Sequence, residues 1–193
     1  MHHQRKYLEI ACQQVVTEDS SVFSIQWVDL PVELAGSLYL KELLTSYFNY
    51  IKKCTFSIIQ PVVHESGIEF RLWGTDISLL SFLPPETADD STTLHISGGF
   101  LTQSRQHNNG EFRFKLESYE NSIRVSLQLT NFYPLLLGSH PASRGRLFLY
   151  RFTQATIHRR VTVAFLSLLY KELTGYSAKR RVVDVKVKAG KPV

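Results

Sequence analysis

Proton transfer and metal binding need histidines, cysteines or carboxylates brought together, and the seven histidines of this 193-residue sequence are scattered. His64 falls at a turn, His95 in mid-strand, and His107 and His140 in loops. Only His2-His3, at the very start, stand close together, and no pair has the i, i+4 or H-x-H spacing of metal ligands, so no metal is expected. His158 sits in a helical stretch beside Arg159 and Arg160. As a general base it would need a carboxylate, and Glu172 lies too far along the helix, so it reads as a packing or solvated histidine. Cys12 and Cys54 are too few for a disulfide framework, and their apolar surroundings predict buried thiols in a reducing compartment. Gly98-Gly99 stands mid-strand, where it suits a bend rather than a phosphate cradle, and Ser97 beside it forms no G-x-S-x-G elbow. No catalytic residue and no cofactor is expected.

The remaining candidates are apolar and aromatic. Phe70, Leu72, Phe100, Phe112, Phe114, Leu127 and Leu129 occupy alternate strand positions, and Tyr150, Gln154, Ile157, Val161 and Phe165 recur at helical spacing. Converging, they would line either a filled core or a ligand pocket. Arg71, Arg113 and Arg124 lie on strands whose opposite-parity neighbours are apolar, the pattern of a solvent face. An inward arginine would instead anchor a carboxylate or phosphate, and Arg71, with Trp73 on its face, is the first to test.

Charge is distributed unevenly. The formal net charge is +5, yet Lys179, Arg180, Arg181, Lys186, Lys188 and Lys191 against Asp184 account for all of it. Residues 1–178 are left with sixteen basic and sixteen acidic side chains. A neutral body excludes a nucleic-acid-binding domain as a whole, so no specific nucleic-acid partner is expected. The basic tail would make at most weak, salt-sensitive contact with an anionic surface, about 1 kcal/mol per cation.

These residues need elements to position them. Leu8 to Val16 and Phe23 to Trp27 alternate like strands, with Ser24 and Gln26 on the polar side. Asp29 and Pro31 suit a helix start, and Leu40, Leu43, Leu44, Tyr47, Phe48 and Ile51 keep helical spacing, with Gly36 dividing a short piece from a long one. Strands and turns fill 55–133, ending at Pro134 after the alternating stretch from Ile123 to Tyr133. A loop from Leu135 to Gly145 follows, its three leucines exposed in aspect. The strongest helix is expected from Arg146 to Leu173, stopped by Gly175. Val182, Val183, Val185 and Val187 then alternate with charged residues, either as a lysine-guarded edge strand or, being terminal and charged, as disorder. The expected α+β architecture is a curved antiparallel sheet of six to seven strands gripping a long C-terminal helix, with a shorter helical pair after the first strands. It forms one domain over residues 1–178 with a tail at 179–193. The longest apolar run, Val161 to Tyr170, is half a bilayer span, and no signal-peptide pattern opens the chain, so the protein reads as soluble and cytoplasmic.

This order, together with "ISGGFLTQ…GEFRFKLE…IRVSLQLTNFYP" and a helix containing "YRFTQATIHRRVTVAFLSLLYKEL", resembles the START-like, or SRPBCC, helix-grip superfamily. The resemblance covers nearly the whole chain by element order and is most specific from Leu94 to Leu173. It implies a hydrophobic cavity between sheet and closing helix, and no catalytic motif of the superfamily is matched. The expected function is binding of a hydrophobic small molecule or lipid. The alternatives are a cavity enzyme of cyclase or dehydratase type, which requires an inward titratable group, and an interaction protein using the basic tail or the Leu135–Leu137 segment.

Overall fold

The computed structural model describes residues 7–36, 38–103, 110–138, 156–188 and 191–192. The chain opens with two ten-residue strands, β1 (Tyr7–Val16) and β2 (Val22–Pro31). Two helices follow, α1 (Val32–Ala35) and α2 (Leu40–Cys54). Seven strands come next: β3 (Ile59–His64), β4 (Gly67–Leu72), β5 (Ser78–Phe82), β6 (Glu86–Thr87), β7 (Ser91–Gly98), β8 (Glu111–Ser118) and β9 (Ser122–Phe132). A 3-10 turn (Leu135–Leu137) precedes α3 (Thr156–Thr174), and β10 (Lys179–Asp184) follows it. The strands form one sheet in the order β10-β1-β2-β9-β8-β7-β5-β4-β3, with β6 on β7. Every pairing is antiparallel except that of β10 with β1. This is the α+β helix-grip arrangement expected from the sequence, with a larger sheet.

Two local expectations change and a third resolves. Asp29 caps no helix: β2 runs on to Pro31, and the Asp29 carboxylate takes two hydrogen bonds from Arg124, at 2.7 and 2.9 Å. Leu137, placed with the exposed leucines, is fully buried, while Leu135 is 44% exposed. Of the two readings of the tail the edge strand holds for Val182 and Val183, because Lys179–Asp184 zip onto Tyr7–Cys12, where the backbone groups of β1 need partners. Of the expected 146–173 helix the described part begins at Thr156; residues 146–155, with Tyr150 and Gln154, lie outside the described residues, as do His107 and His140.

Two features curl the sheet. Gly99 has φ +118°, and a Cβ there would stand 2.5 Å from the Leu79 carbonyl oxygen and 2.6 Å from the Leu80 Cα, so only glycine lets β7 pass β5 this closely. The β5–β7 register shifts at the same place, between Ser81 and Phe82. Into the resulting trough α2 lowers Leu43, Tyr47 and Ile51, one turn apart, and α3 lowers Thr162, Phe165, Leu166 and Leu169. Tyr47 sits at the junction, its ring 5.1–5.4 Å from those of Phe112, Phe114 and Phe165 in edge-on and tilted contacts. Among the described residues no helix is long and apolar enough to cross a membrane.

Candidate functional site: the concave face beneath the last helix

Strand register decides which side chains face α3. Gln14 pairs with Ser24, Ser24 with Leu129, and Leu129 with Phe112. One row further along, Cys12 pairs with Gln26, Gln26 with Leu127, and Leu127 with Phe114. Side chains on paired residues share a face, so two parallel rows run across the trough. Each row is polar over β1 and β2 and aromatic or aliphatic over β9 and β8.

The helix lies over the same rows. The His158 ring is 6.1 Å from that of Phe112. Arg159 reaches Asp184 at 2.6 Å, and Asp184 is the β10 partner of Cys12. The first turns of α3 therefore stand above the block formed by Cys12, Gln14, Ser24 and Gln26.

Within that block Gln26 and Ser24 have no solvent exposure. The Gln26 side-chain amide donates to Ser24 Oγ at 2.7 Å and faces Cys12 Sγ at 3.6 Å. Four buried polar atoms have no hydrogen-bond partner among the described residues: Gln14 Nε2, Gln26 Oε1, His158 Nε2 and Thr162 Oγ1. The buried Tyr47 hydroxyl is a neighbour of Thr162. An unpaired buried polar group costs about 1–3 kcal/mol, and Gln14, Gln26, His158 and Thr162 carry four of them.

The electrostatics are those of a dry, uncharged interior. No Lys, Arg, Asp or Glu is buried among the described residues. Burial lowers the His158 pKa to about 4, so the ring is neutral near pH 7. Burial likewise raises the Tyr47 hydroxyl and the Cys12 thiol above their ordinary ranges. Tyr50, nearer the rim, is pushed up to about 12 by burial and the neighbouring Cys54. Both cysteines are free thiols.

The predicted lining residues divide. Phe70, Phe112, Phe114, Leu127 and Phe165 are buried, and Leu129 and Val161 pack against the same core. Leu72 is half-buried at the end of β4. Three others do not face the interior: Trp73 is 69%, Phe100 62% and Ile157 61% exposed. Trp73 lies past the end of β4, and Phe100 follows the Gly99 bend that turns the chain off the sheet. Ile157 is on the wrong side of α3: the inward stripe is His158, Thr162, Phe165 and Leu169, one residue out of phase with the expected Ile157–Val161 line. Arg71 points outward to Glu69, Arg113 to Glu111 and Thr93, and Arg124 to Asp29 over the rings of Trp27 and Tyr119. None is an inward anchor.

The polar block itself escaped sequence reasoning, because Ser24 and Gln26 alternate with Phe23, Ile25 and Trp27 and so read as a solvent face. In the structure β2 is buried on both sides, with Ile25 5% and Trp27 6% exposed. The usable signal is in β1, where Leu8, Ile10, Cys12 and Gln14 share one parity and Gln14 continues an apolar line. A separate shallow recess at the end of the sheet, between Ile96, Gly110 and Tyr133, has room for about one water molecule, ≈ 10 Å³.

No family model matches this chain, and no curated protein matches it. Similar solved structures exist. The solution structure of the Aha1 dimer from Colwellia psychrerythraea is 16% identical, covers 77% of this chain and 93% of that one, and has a TM-score of 0.42. CalU16 from Micromonospora echinospora is 10% identical over 88% of this chain and 75% of its own, with a TM-score of 0.41. Ara h 8.0201 is 14% identical over 75% and 97%, with a TM-score of 0.43. The strand order and the helix laid across it make this chain a helix-grip fold in its own right. At these identities and TM-scores the likeness carries nothing about ligand or activity.

Proposed function

We propose that this chain binds a hydrophobic small molecule or lipid between the concave face of its sheet and α3. One observation carries the reading: a packed apolar trough is interrupted by buried polar atoms that the protein's described groups leave unpaired. The ring contacts around Tyr47 close the middle of the trough, so the ligand belongs at the His158 end of α3 rather than along the whole helix. Of the sequence-derived set, Phe112, Leu127 and Leu129 then line that end, while Phe114 and Phe165 belong to the Tyr47 ring cluster and Phe70 packs on Phe48 and Phe82 away from it.

Thermal unfolding with a panel of fatty acids, polyaromatics and an apolar dye such as anilinonaphthalene sulfonate tests this. A ligand at 100 times its Kd adds about 2.7 kcal/mol, or roughly 5–10 °C in a domain of this size. A panel that leaves Tm unmoved, with an experimental structure showing only ordered water at these atoms, would refute the reading.

A second reading concerns the tail. Lys179, Arg180 and Arg181 lie exposed along the outermost strand, where cations guard an open edge and can meet an anionic surface, Arg181 in exchange for its 4.0 Å pairing with Glu9. Reversing Lys179 and Arg180 to Glu should abolish any salt-sensitive retention on anionic vesicles; unchanged retention would discard it.

A further inference from the structure

An apolar surface lies outside the grip, at the end of the sheet where β3 begins and β4 ends. Ile58 is 53%, Trp73 69%, Ile77 46% and Phe100 62% exposed. Backbone hydrogen bonds hold their three chain segments side by side. Trp73 N–H donates to the Ile58 carbonyl at 2.8 Å, Leu72 N–H to the Ile77 carbonyl at 2.9 Å, and Phe100 N–H to the Ser78 carbonyl at 2.8 Å. Phe56, 89% exposed, stands in the turn that leads from α2 into this edge. Five large apolar side chains therefore gather at one end of the sheet, whereas single scattered ones would need no explanation.

Phe56 is held there at a cost. Its φ is +52° and that of Ser57 is +63°, a backbone region that a bulky residue seldom occupies. The side chain recovers little inside the protein, being the most exposed large apolar one among the described residues. An outlier of this kind at an exposed tip points to a contact outside the molecule. The same turn carries cations. Phe56 N–H donates to the Lys53 carbonyl at 3.2 Å and Ser57 N–H to the Lys52 carbonyl at 2.7 Å, and both lysines are exposed, with no ion pair among the described residues. Arg71 lies between Glu69 and Asp76, a net of one negative charge that the two lysines exceed.

The free edge of β3 beside this surface is closed to an added strand. Because Ile58 bonds to Trp73, the alternation of an antiparallel pair turns the backbone groups of Ile59, Pro61 and Val63 outward. The Ile59 N–H is already taken by Thr55 Oγ1 at 3.2 Å, and Pro61 has none to offer. A partner is therefore met by side chains, aromatic and cationic together, carried on turns. That combination suits the headgroup level of a bilayer, where aromatic rings enter the boundary and lysine ammonium groups stay among anionic headgroups.

We propose that this end of the sheet, with Phe56, Ile58, Trp73, Ile77 and Phe100 as its apolar contact and Lys52 and Lys53 as its cations, docks on an anionic lipid bilayer. The proposal rests neither on a ligand beneath α3 nor on the cations of β10.

The experiment uses the full chain with vesicles of phosphatidylcholine and phosphatidylserine, and with phosphatidylcholine alone, read by co-sedimentation and tryptophan emission. Of the two tryptophans Trp27 is buried and Trp73 exposed, so Trp73 reports docking. The mixed vesicles should retain the chain about tenfold better than phosphatidylcholine, shift its emission to the blue and shield it from acrylamide. Phe56→Ser, and Lys52→Glu combined with Lys53→Glu, should each weaken that retention about tenfold. These positions are exposed, and circular dichroism checks that the fold is intact. Absence of binding to the mixed vesicles, or binding that leaves the emission unshifted, overturns the proposal. Retention that Phe56→Ser keeps and reversal of Lys179 and Arg180 abolishes belongs to the tail and overturns it too. A concentration-dependent dimer that Phe56→Ser abolishes would assign the surface to a second copy of the chain, and likewise overturns it.

Discussion

Acidification should weaken this fold through one identifiable residue. His158 is neutral in the folded chain because burial holds its pKa near 4, whereas in the unfolded chain it takes the ordinary value of about 6.5. The folded value is the lower one, so the unfolded chain takes up the proton first as pH falls. The stability contributed by neutral burial is intact above about pH 6.5, erodes between 6.5 and 4, and changes no further below that. Each pH unit in the window is worth about 1.4 kcal/mol, which sets a ceiling near 3 kcal/mol for the whole shift. The residue keeps some contact with solvent although Nε2 is closed off, so the measured loss should lie below that ceiling. The assay is urea unfolding of the native chain and of His158→Gln, which cannot titrate, at half-unit steps from pH 7.5 to 4.5. Carboxylates and the other histidines contribute equally to both proteins, and the difference between them isolates His158. That difference should swing by about 1–3 kcal/mol in favour of the glutamine variant on going from pH 7.5 to 4.5. A difference that stays constant with pH would mean that the ring is solvated or paired, and the account of the polar block would lose one of its four members.

Other outcomes follow from single contacts. Thr162→Val removes a buried hydroxyl without a partner and should raise stability in the absence of ligand by about 1 kcal/mol; a loss of that size would show that the hydroxyl is satisfied. Phe165→Ala empties the point where Tyr47 and Tyr50 meet α3 and should cost about 3–5 kcal/mol in denaturant unfolding. Phe56 and Ser57 both have positive φ, +52° and +63°, in a turn closed by Ile58 N–H to the Thr55 carbonyl at 2.9 Å, and Phe56 is 89% exposed. Asparagine tolerates that backbone far better than phenylalanine, so Phe56→Asn should raise Tm by about 2–4 °C, and no gain would mean that Phe56 makes a compensating contact.

The sequence betrayed its architecture where one face met water. In β9, Val125 and Leu127 alternate with the half-exposed Arg124 and Gln128, and the observed register keeps that alternation even though Ser126 is covered. The α2 stripe of Leu43, Tyr47 and Ile51 was legible for the same reason. Periodicity failed where polar residues turn inward. In α3 the inward line begins with His158 and Thr162, so an apolar template locks onto Ile157 and Val161 instead. In β2 both faces are covered, and alternation no longer separates inside from outside. The basic tail stayed open between edge strand and disorder because its composition is that of a solvated end, while the free edge of β1 is not visible from the tail itself. Each of these places is one where local preference and tertiary context disagree, and two of the three lie at the candidate site.

The pairing of β10 with β1 also sets the order in which the sheet can be completed. It joins Tyr7 to Lys179, so β1 leaves the ribosome long before its outer partner. Until then β1 presents a full row of unpaired N–H and C=O groups on its outer side, and a second nascent chain offers the same row. A ladder with so large a sequence separation closes slowly, whatever its final stability. Once β10 has docked, Lys179, Arg180 and Arg181 line the outer edge of the sheet, and like charges there keep two completed sheets from joining edge to edge.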